Sequence, residues 1–296
     1  MTNSGLYLSA IGVNLEENSG PKKGVREMCN TLETAVGCGV NHFDLAPHYG
    51  DSRGAVEEIF GRALQRFSNL REDLVISARA GLGTQSGLMP GFGSRKCLMT
   101  SLDSTLSRTK LECVDVFYAH RYDAFTPIEE TASALDSIAR QGKALYVGLS
   151  GYAPAMVRRV AAILRDLGTP LSVCRVTYSM LHRWPEDGLL DVLADERIGC
   201  VADGTLDVTF GPYPDCSRKE VERLQTRLSR ISLRRGQSSR QCALSWVLRQ
   251  PSVASALVAL PDSDDLLEYC AAVHKTSFAE EELVSVDGCF PEVHRS

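Results

Sequence analysis

Residues 114–150 read VDVFYAHRYDAFTPIEETASALDSIARQGKALYVGLS, and this stretch decides the fold class of the 296-residue chain. Its two ends, Val114–His120 and Ala144–Ser150, are rich in β-branched and aromatic residues and predict strands. Between them, Ile128–Arg140 repeats apolar residues at the spacing of an amphipathic helix. Two strands that are joined by a crossover helix pair in parallel, so the stretch predicts an α/β protein built on a parallel sheet.

The same alternation of a short strand and a longer helix extends over the rest of the chain. Further strands are predicted at residues 6–13, 41–45, 74–80, 171–177, 198–202 and 254–259. Further helices are predicted at residues 25–37, 53–65, 96–106, 153–167, 187–195, 221–249, 264–273 and 279–286. Eight such units, at roughly 25–40 residues each and without a break in composition, predict a single (β/α)8 TIM barrel domain over residues 1–296.

An open, doubly wound sheet is the alternative fold. A dinucleotide-binding sheet of that kind carries a G-x-G-x-x-G turn between an early strand and its helix, and this chain has none there. The glycine-rich residues 81–93 follow the third predicted strand and are interpreted as a loop at the barrel mouth. Residues 203–217 form the second long irregular stretch. The missing turn favours the barrel.

Composition excludes several classes of protein. The chain is 44% hydrophobic and 23% charged, and its 32 basic and 37 acidic residues give a formal net charge of -5. That balance is a poor match for nucleic acid or an anionic membrane, so neither is expected as a partner. No apolar run approaches the length of a membrane span. The ten cysteines include no C-x-x-C pair, so we expect no metal site and free thiols in a reducing cytoplasm.

Side chains at the carboxyl ends of barrel strands face the active site. Asp44 ends the second predicted strand and Tyr49 follows it, Arg79 lies near the end of the third, and His120 ends the fourth. A tyrosine beside a cation that a buried carboxylate holds in place can give a proton to a carbonyl oxygen, and a histidine can orient that oxygen. These four residues are the predicted catalytic set.

The chain resembles the aldo-keto reductases over nearly its whole length. Residues 41–64, NHFDLAPHYGDSRGAVEEIFGRAL, match the F-D-T-A-x-x-Y-G pattern of that family, and residues 93–150 and 241–253 match as well. The middle stretch is most similar to the branch with the potassium-channel β-subunits and related bacterial reductases. The resemblance implies a (β/α)8 barrel that uses NADPH without a Rossmann fold. It makes Asp44, Tyr49 and His120 three members of the catalytic tetrad, whereas Arg79 stands where the family has a lysine.

The resemblance also implies cofactor contacts, with departures from the family pattern. Ser150 and Arg175 lie where the family holds the nicotinamide carboxamide, and Tyr178 lies where it has a stacking ring, although the usual residue at Arg175 is a glutamine. Residues 259–268 read ALPDSDDLLE, where the family has groups that hold the 2′-phosphate. Carboxylates there repel a phosphate, so the predicted cofactor is NADP or NAD, or none.

Three functions stay open on the sequence alone. The first is the nicotinamide-dependent reduction of an aldehyde, ketone or imine, with Tyr49 as the general acid. The second is a non-redox dehydration, cyclisation or isomerisation on the same barrel without a nucleotide. The third is a regulatory β-subunit-like protein, which the intact set of Asp44, Tyr49 and His120 disfavours. The motif favours a reductase of a small carbonyl compound, and whether it is a homo-oligomer is left open.

Overall fold

Eight parallel strands form a closed barrel in the computed structural model of the protein, which describes residues 4–15, 24–50, 52–80, 92–210, 218–259 and 265–289. Each strand pairs with the next one along the chain, and the eighth closes the barrel by pairing with the first. The strands are β1 (Ile11–Asn14), β2 (His42–Leu45), β3 (Val75–Arg79), β4 (Val114–His120), β5 (Ala144–Ser150), β6 (Leu171–Thr177), β7 (Gly199–Asp203) and β8 (Val253–Ala259). The (β/α)8 prediction is confirmed, and the open-sheet alternative is wrong.

Helices alternate with the strands and surround the barrel. They are α1 (Val25–Gly37), α2 (Ala55–Leu64), α3 (Arg95–Thr109), α4 (Ile128–Arg140), α5 (Pro154–Asp166), α6 (Leu189–Glu196), α7 (Asp207–Phe210), α8 (Arg218–Arg234), α9 (Ser239–Leu248), α10 (Asp265–Cys270) and α11 (Glu280–Asp287). Consecutive helices contact each other from α1 to α6. The predicted bounds of β4, β5, β6, α1 and α4 agree with the structure to the residue. Within the described residues, no helix is both long and apolar enough to cross a membrane.

Helix α4 illustrates why the amphipathic segments fold where they do. Ile128, Ala132, Leu135 and Ile138 recur at helical spacing and are buried on the face that contacts β5. Each large apolar side chain that leaves water in this way contributes about 1.5–3 kcal/mol. Two glutamates in the first turn and an arginine in the last turn complement the partial charges of the helix ends. The repeating pattern therefore fixes both the length of the helix and the face that it buries.

The segment that was predicted as one helix over residues 221–249 is two helices, so that prediction is wrong. Helix α8 ends at Arg234, and Gly236 adopts a positive φ of 65° that favours glycine. Helix α9 then begins anew, because the Ser238 side chain accepts a hydrogen bond from the backbone N–H of Gln241 and the Gln241 side chain accepts one from the Ser238 N–H. The two backbone signals outweigh the continuous helical periodicity.

The two predicted loops and the first strand differ from the structure in part. The ladder of β1 begins at Ile11 rather than at residue 6, and residues 6–9 precede it without pairing as a strand. The stretch predicted as irregular over residues 203–217 contains the end of β7 and the short helix α7, and its residues 211–217 lie outside the described residues. Most of the predicted mouth loop, residues 81–91, also lies outside them.

The inside of the barrel changes from apolar near its base to charged at its mouth. Its lower residues form an apolar cluster of their own: Leu8, Val116, Tyr118, Val173, Val201 and Leu257. Gly148 leaves room for the ring of Tyr118, since a Cβ at that position would lie 2.5 Å from the ring. Two residues further along several of these strands, on the same face, the side chains are polar or charged. The fold thereby gathers chemically active groups at the carboxyl ends of the strands.

Candidate active site

Five of the predicted site residues come from five neighbouring strands and lie together at one mouth. Asp44 lies on β2, Arg79 ends β3 and His120 ends β4. Ser150 ends β5 and pairs in register with His120 on one side and with Arg175 of β6 on the other. The carboxyl ends of the strands therefore bring together residues that lie far apart in the chain.

Asp44 is the centre of the array, and both of its carboxylate oxygens are engaged. The Ser77 hydroxyl donates to Oδ1 at 2.7 Å, and the Tyr49 hydroxyl donates to Oδ2 at 3.1 Å. The Nη2 atoms of Arg79 and Arg175 each lie 3.6 Å from the same Oδ2. Complete burial raises the pKa of this carboxyl, but Arg175, Arg79 and the Ser77 hydrogen bond outweigh burial and hold the pKa below its ordinary value. Asp44 is therefore an anion at neutral pH.

Tyr49 stands in the short loop after β2 with its ring buried against a cation. The turn that carries it is closed by its backbone N–H, which donates to the Ala46 carbonyl, and by Gly50 at a φ of 89°. The Arg79 guanidinium lies 5.1 Å from the centre of the Tyr49 ring, within the range of a cation–π contact. The phenol is thus held between a carboxylate that accepts its hydrogen bond and a positive charge.

Two histidine rings stack at the mouth beside this phenol. Nδ1 of His120 lies 3.0 Å from the Ser150 hydroxyl, and the ring of His48 stacks on the His120 ring at 6.5 Å. Burial, followed by Arg79 and Arg175, lowers the pKa of His120 to about 3 and that of His48 to about 4. Both rings are therefore neutral near pH 7 and are able to donate or accept a hydrogen bond without carrying charge.

His48, in the loop after β2, is a further residue of the mouth. Its ring lies edge-on to Tyr49 at 5.0 Å between centroids, and the residue is only partly covered by its neighbours. The position of His48 directly before Tyr49 in the sequence is the signal that could have predicted its place in the site. Its stacking on a residue from another strand could not be seen in the sequence.

Arg175 joins a second carboxylate at the rim. Its Nη2 lies 2.6 Å from Oδ2 of Asp203, and the Asn14 amide donates to Oδ1 of the same aspartate at 3.2 Å. Another buried carboxylate, Glu57, is bonded to Arg108 and to Thr105 instead. The bridge links β1, β6 and β7 across the mouth.

Tyr178 follows β6 but turns away from the reacting groups. Its ring is fully buried against Trp246, with 5.4 Å between ring centres. Its hydroxyl donates to Glu186 at 2.7 Å and accepts from Arg249 at 3.1 Å. In this arrangement the ring offers no open face on which a nicotinamide could stack.

The remaining groups partly fit a nicotinamide nucleotide. The Arg175 guanidinium would donate to a carboxamide oxygen at this end of the nucleotide, and the Ser150 hydroxyl, whose single proton can go to Nδ1 of His120, would accept from the carboxamide NH2. Next to α10, Arg240 Nη1 lies 2.9 Å from Asp265 and 3.2 Å from Glu268. The segment between β8 and α10, residues 260–264, lies outside the described residues. The groups at the mouth therefore fit a nicotinamide, while the cation beside the acidic segment after β8 already has two carboxylates.

Neither a metal cluster nor a disulfide takes part in the described portion of the chain. No group of three histidine, cysteine, aspartate or glutamate side chains there is placed to hold a metal ion. Nine of the cysteines are described, and all nine are free thiols. The chemistry of the mouth rests on proton donors, guanidinium groups and carboxylates.

The chain is similar to proteins of one family along nearly all of its length. A model described as "Aldo/keto reductase family" matches residues 15–290. The L-glyceraldehyde 3-phosphate reductase of Escherichia coli K12 is 38% identical over 96% of this chain and 89% of its own length. A protein named "Probable voltage-gated potassium channel subunit beta" in Arabidopsis thaliana is 29% identical over 91% of this chain and 89% of its own. These matches confirm the family resemblance and the branch that the sequence indicated.

Proposed function

As a member of the aldo/keto reductase family this chain is a nicotinamide-dependent oxidoreductase, and we propose that it reduces the carbonyl group of a small, polar aldehyde with Tyr49 as the general acid. The observation that carries the proposal is the hydrogen bond from the Tyr49 hydroxyl to an ionised, buried Asp44 that two guanidinium groups flank. The 38% identical relative is named as a reductase of a phosphorylated hydroxyaldehyde, which supports a short substrate of that chemical kind.

Tyr49 is the group in this array that has a proton to give. Asp44 is ionised, and the arginine side chains keep their protons at every physiological pH. When the carbonyl oxygen accepts the Tyr49 proton, the phenolate that remains lies beside the Arg79 charge, which stabilises it. The bound nicotinamide supplies the hydride for this reduction.

His120 orients the carbonyl oxygen in the proposed reaction. In the tautomer in which the Ser150 hydroxyl donates to Nδ1, the Nε2–H of His120 is available to donate to the substrate. A neutral imidazole suits that role, because it donates a hydrogen bond without competing with Tyr49 as an acid. Asp44 and Arg79 act on Tyr49 rather than on the substrate.

Ser150 and Arg175 would hold the nicotinamide end of the nucleotide in this proposal. Tyr178 packs on Trp246, and its contact with the nicotinamide stays a prediction. Whether the nucleotide is NADP or NAD depends on the acidic groups after β8. The free thiols support a reducing, cytoplasmic setting for the enzyme.

Tyr49→Phe tests the assignment of the acid. The change removes one hydroxyl from a buried ring, and we expect kcat for a short aldehyde such as glyceraldehyde 3-phosphate to fall by about 10²–10⁴. Turnover is followed by the loss of reduced nicotinamide absorbance, and thermal unfolding confirms that the variant folds. Tyr122→Phe is the matched control, since Tyr122 packs on Tyr152 and makes no contact with Asp44.

Two outcomes would contradict the proposal. Near wild-type turnover by Tyr49→Phe would mean that another group gives the proton. If the wild-type protein binds neither NADPH nor NADH at millimolar concentration and oxidises neither with any aldehyde, the same residues serve non-redox chemistry instead.

A further inference from the structure

A chain of hydrogen bonds continues from Asp44 into the interior of the barrel, away from the mouth. Nε2 of His42 lies 3.1 Å from the Ser77 hydroxyl, which itself donates to Asp44. Nδ1 of His42 lies 3.2 Å from the hydroxyl of Ser255 on β8. All four side chains are fully buried. We refer to Ser255, His42 and Ser77 as the donor chain.

The direction of every proton in the donor chain follows from the charge on Asp44. Because Asp44 is an anion, it can only accept, so the single Ser77 proton is committed to Oδ1. Ser77 can then only accept from His42, which must carry its proton on Nε2. Burial lowers the pKa of His42 to about 4, so the ring is neutral and its Nδ1 accepts from Ser255. Each group donates towards Asp44.

The barrel interior is shaped around this arrangement. Gly12 of β1 faces the His42 ring, and a Cβ there would lie 2.8 Å from Nδ1 of His42 and 3.0 Å from the Ser255 hydroxyl. The same Cβ would lie 2.9 Å from Leu257. A side chain as small as alanine at residue 12 would therefore displace the His42–Ser255 hydrogen bond. The glycine of β1 therefore leaves the space that the side chains of β2 and β8 need for their hydrogen bond.

We propose that His42 and Ser77 are positioning residues of the reduction, which hold the Asp44 carboxylate so that Oδ2 faces Tyr49, Arg79 and Arg175. The expected effect on catalysis rests on the proposed function, whereas the directions of the hydrogen bonds do not. Without the Ser77 donor, Oδ1 would compete with Oδ2 for the guanidinium groups, and the carboxylate could turn away from Tyr49. Neither residue touches the substrate, since both lie on the far side of Asp44.

Several charged or titratable groups face the two ends of the chain. Asp44 is faced by Arg79 from β3, by Arg175 from β6, by Tyr49 and by the buried Tyr118 of β4. His42 is faced by Asp44 and Arg175. Arg175 and Arg79 favour ionised Asp44. Burial and Arg175 lower the pKa of His42 and outweigh Asp44, which raises it, so the ring stays neutral as the donor chain requires.

The proton positions can be tested without any activity. The imidazole signals of ¹⁵N-labelled protein are recorded between about pH 5 and pH 8, and His42→Gln identifies the signal of His42 by its loss. We expect His42 to stay neutral with its proton on Nε2 throughout. A proton on Nδ1, or a ring that becomes charged in this range, would overturn the proposal even if the enzyme is a reductase.

Ser77→Ala tests the catalytic consequence. We expect kcat to fall by about tenfold, because Oδ1 of the charged Asp44 loses the Ser77 hydroxyl as its donor. KM should stay within about twofold, because the substrate contacts are unchanged. The acidic limb of the kcat profile should move to higher pH, since the Ser77 hydrogen bond is one of the causes of the lowered pKa of Asp44. Ser77→Thr keeps the hydroxyl and should recover most of kcat. Ser172→Ala, at another buried strand serine, is the control for packing.

A wild-type kcat and pH profile in folded Ser77→Ala would overturn the positioning role. Gly12→Ala gives an independent route, because it keeps all three residues of the donor chain and crowds the His42–Ser255 hydrogen bond and Leu257 instead. If the donor chain positions Asp44, this variant shares the kcat loss and the profile shift of Ser77→Ala. An absence of reductase activity in the wild-type protein would contradict the proposed function, and the imidazole spectra would still decide the donor chain.

Discussion

One buried carboxylate, Asp44, organises the mouth at the scale of single residues. Burying an ion costs several kcal/mol unless partners compensate it, and a guanidinium that lost its partner would be as costly. Here Arg79 and Arg175 bring two positive charges, and Asp44 and Asp203 bring two negative ones. The balanced charges allow the array to be buried in the barrel. In this array of charged groups, the proton that is readily transferred is that of the Tyr49 hydroxyl.

Arg79→Lys tests which property of Arg79 the site uses. The guanidinium lies 3.6 Å from Asp44 and over the Tyr49 ring, so its positive charge acts on both groups. We therefore expect Lys to keep kcat within about tenfold, while Arg79→Met, which removes the charge, lowers kcat by about a hundredfold or more. Arg71→Lys, in a pair with Asp115 near the other end of β3, serves as the control.

A Lys variant as inactive as the Met variant would contradict this expectation. It would mean that the planar guanidinium itself is needed, which an ammonium cannot replace. Steady-state rates at one pH and a thermal unfolding curve for each variant are enough to distinguish the cases.

We expect Arg240 to affect the nucleotide preference. Asp265 and Glu268 both lie within hydrogen-bond distance of this guanidinium, so a 2′-phosphate would have to compete with them for it. We expect NADPH to bind less than tenfold more tightly than NADH. Asp265→Asn removes one competing charge and should raise the NADPH to NADH affinity ratio several-fold, whereas Asp166→Asn on the exposed end of α5 should leave it unchanged.

Two dissociation constants for each protein, measured at one ionic strength, check this expectation. A wild-type preference for NADPH of more than tenfold would contradict the expectation that Asp265 and Glu268 oppose a 2′-phosphate. If Asp265→Asn left the ratio of NADPH to NADH affinity unchanged, Arg240 would have no part in nucleotide binding.

The sequence could locate residues at strand ends but not their partners across the barrel. Asp44 and Arg79 follow from the rule that the carboxyl ends of strands face the site. His42 and Ser77 lie two residues before them, on the same inward face, yet nothing local shows that they bond to each other. The fully buried position of Tyr178 depends on Trp246 of a distant helix, so its predicted stacking role could not be weighed from residue type alone.

At the scale of elements, the boundary between α8 and α9 shows how local signals compete. Hydrophobic periodicity continues across residues 221–249 and predicted one helix. Gly236 and the capping box of Ser238 and Gln241 interrupt it, because a left-handed glycine ends a helix and a cap begins one. The spacing of Ser238 and Gln241, three residues apart, was the signal in the sequence that could have predicted the start of a new helix.

Ser238→Ala should destabilise the protein by about 1–2 kcal/mol. The side chain accepts from the Gln241 N–H and also donates to Glu268 of α10, so its loss weakens the start of α9 and its contact with the next helix. Urea unfolding of the variant, compared with Ser239→Ala in the same turn, measures the difference. Equal stability of the two variants would show that the cap contributes nothing beyond helix propensity.

At the scale of the whole molecule, the barrel was predictable because both faces of its parallel strands are buried. Strands β4, β5 and β6 therefore appear in the sequence as apolar runs whose ends coincide with the ladder. The start of β1 was misplaced because residues 6–9 are apolar in part and yet precede the paired segment, with Tyr7 largely exposed. Apolar character alone does not show where pairing begins.

Acid should destabilise the fold well before the carboxylates titrate. Burial lowers the pKa of His42 and His48 to about 4 and that of His120 to about 3. Between pH 6.5 and about 4 the unfolded chain therefore binds protons that the folded protein does not, so stability is greatest above pH 6.5 and is lost as the pH falls. The fully buried His42 contributes on the order of 3 kcal/mol to this loss.

The free energy of unfolding in urea, measured at pH 7 and at pH 4.5, checks this linkage. His42→Gln lowers stability at pH 7, but it should make the difference between the two pH values smaller, because one proton-linked group is gone. His274→Gln, at an exposed position, should leave the difference as it is in the wild-type protein. If His42→Gln did not reduce the difference in unfolding free energy between the two pH values, the ring would be protonated as easily in the barrel as in water. We expect otherwise, because the ring is buried between two serines and faces Arg175.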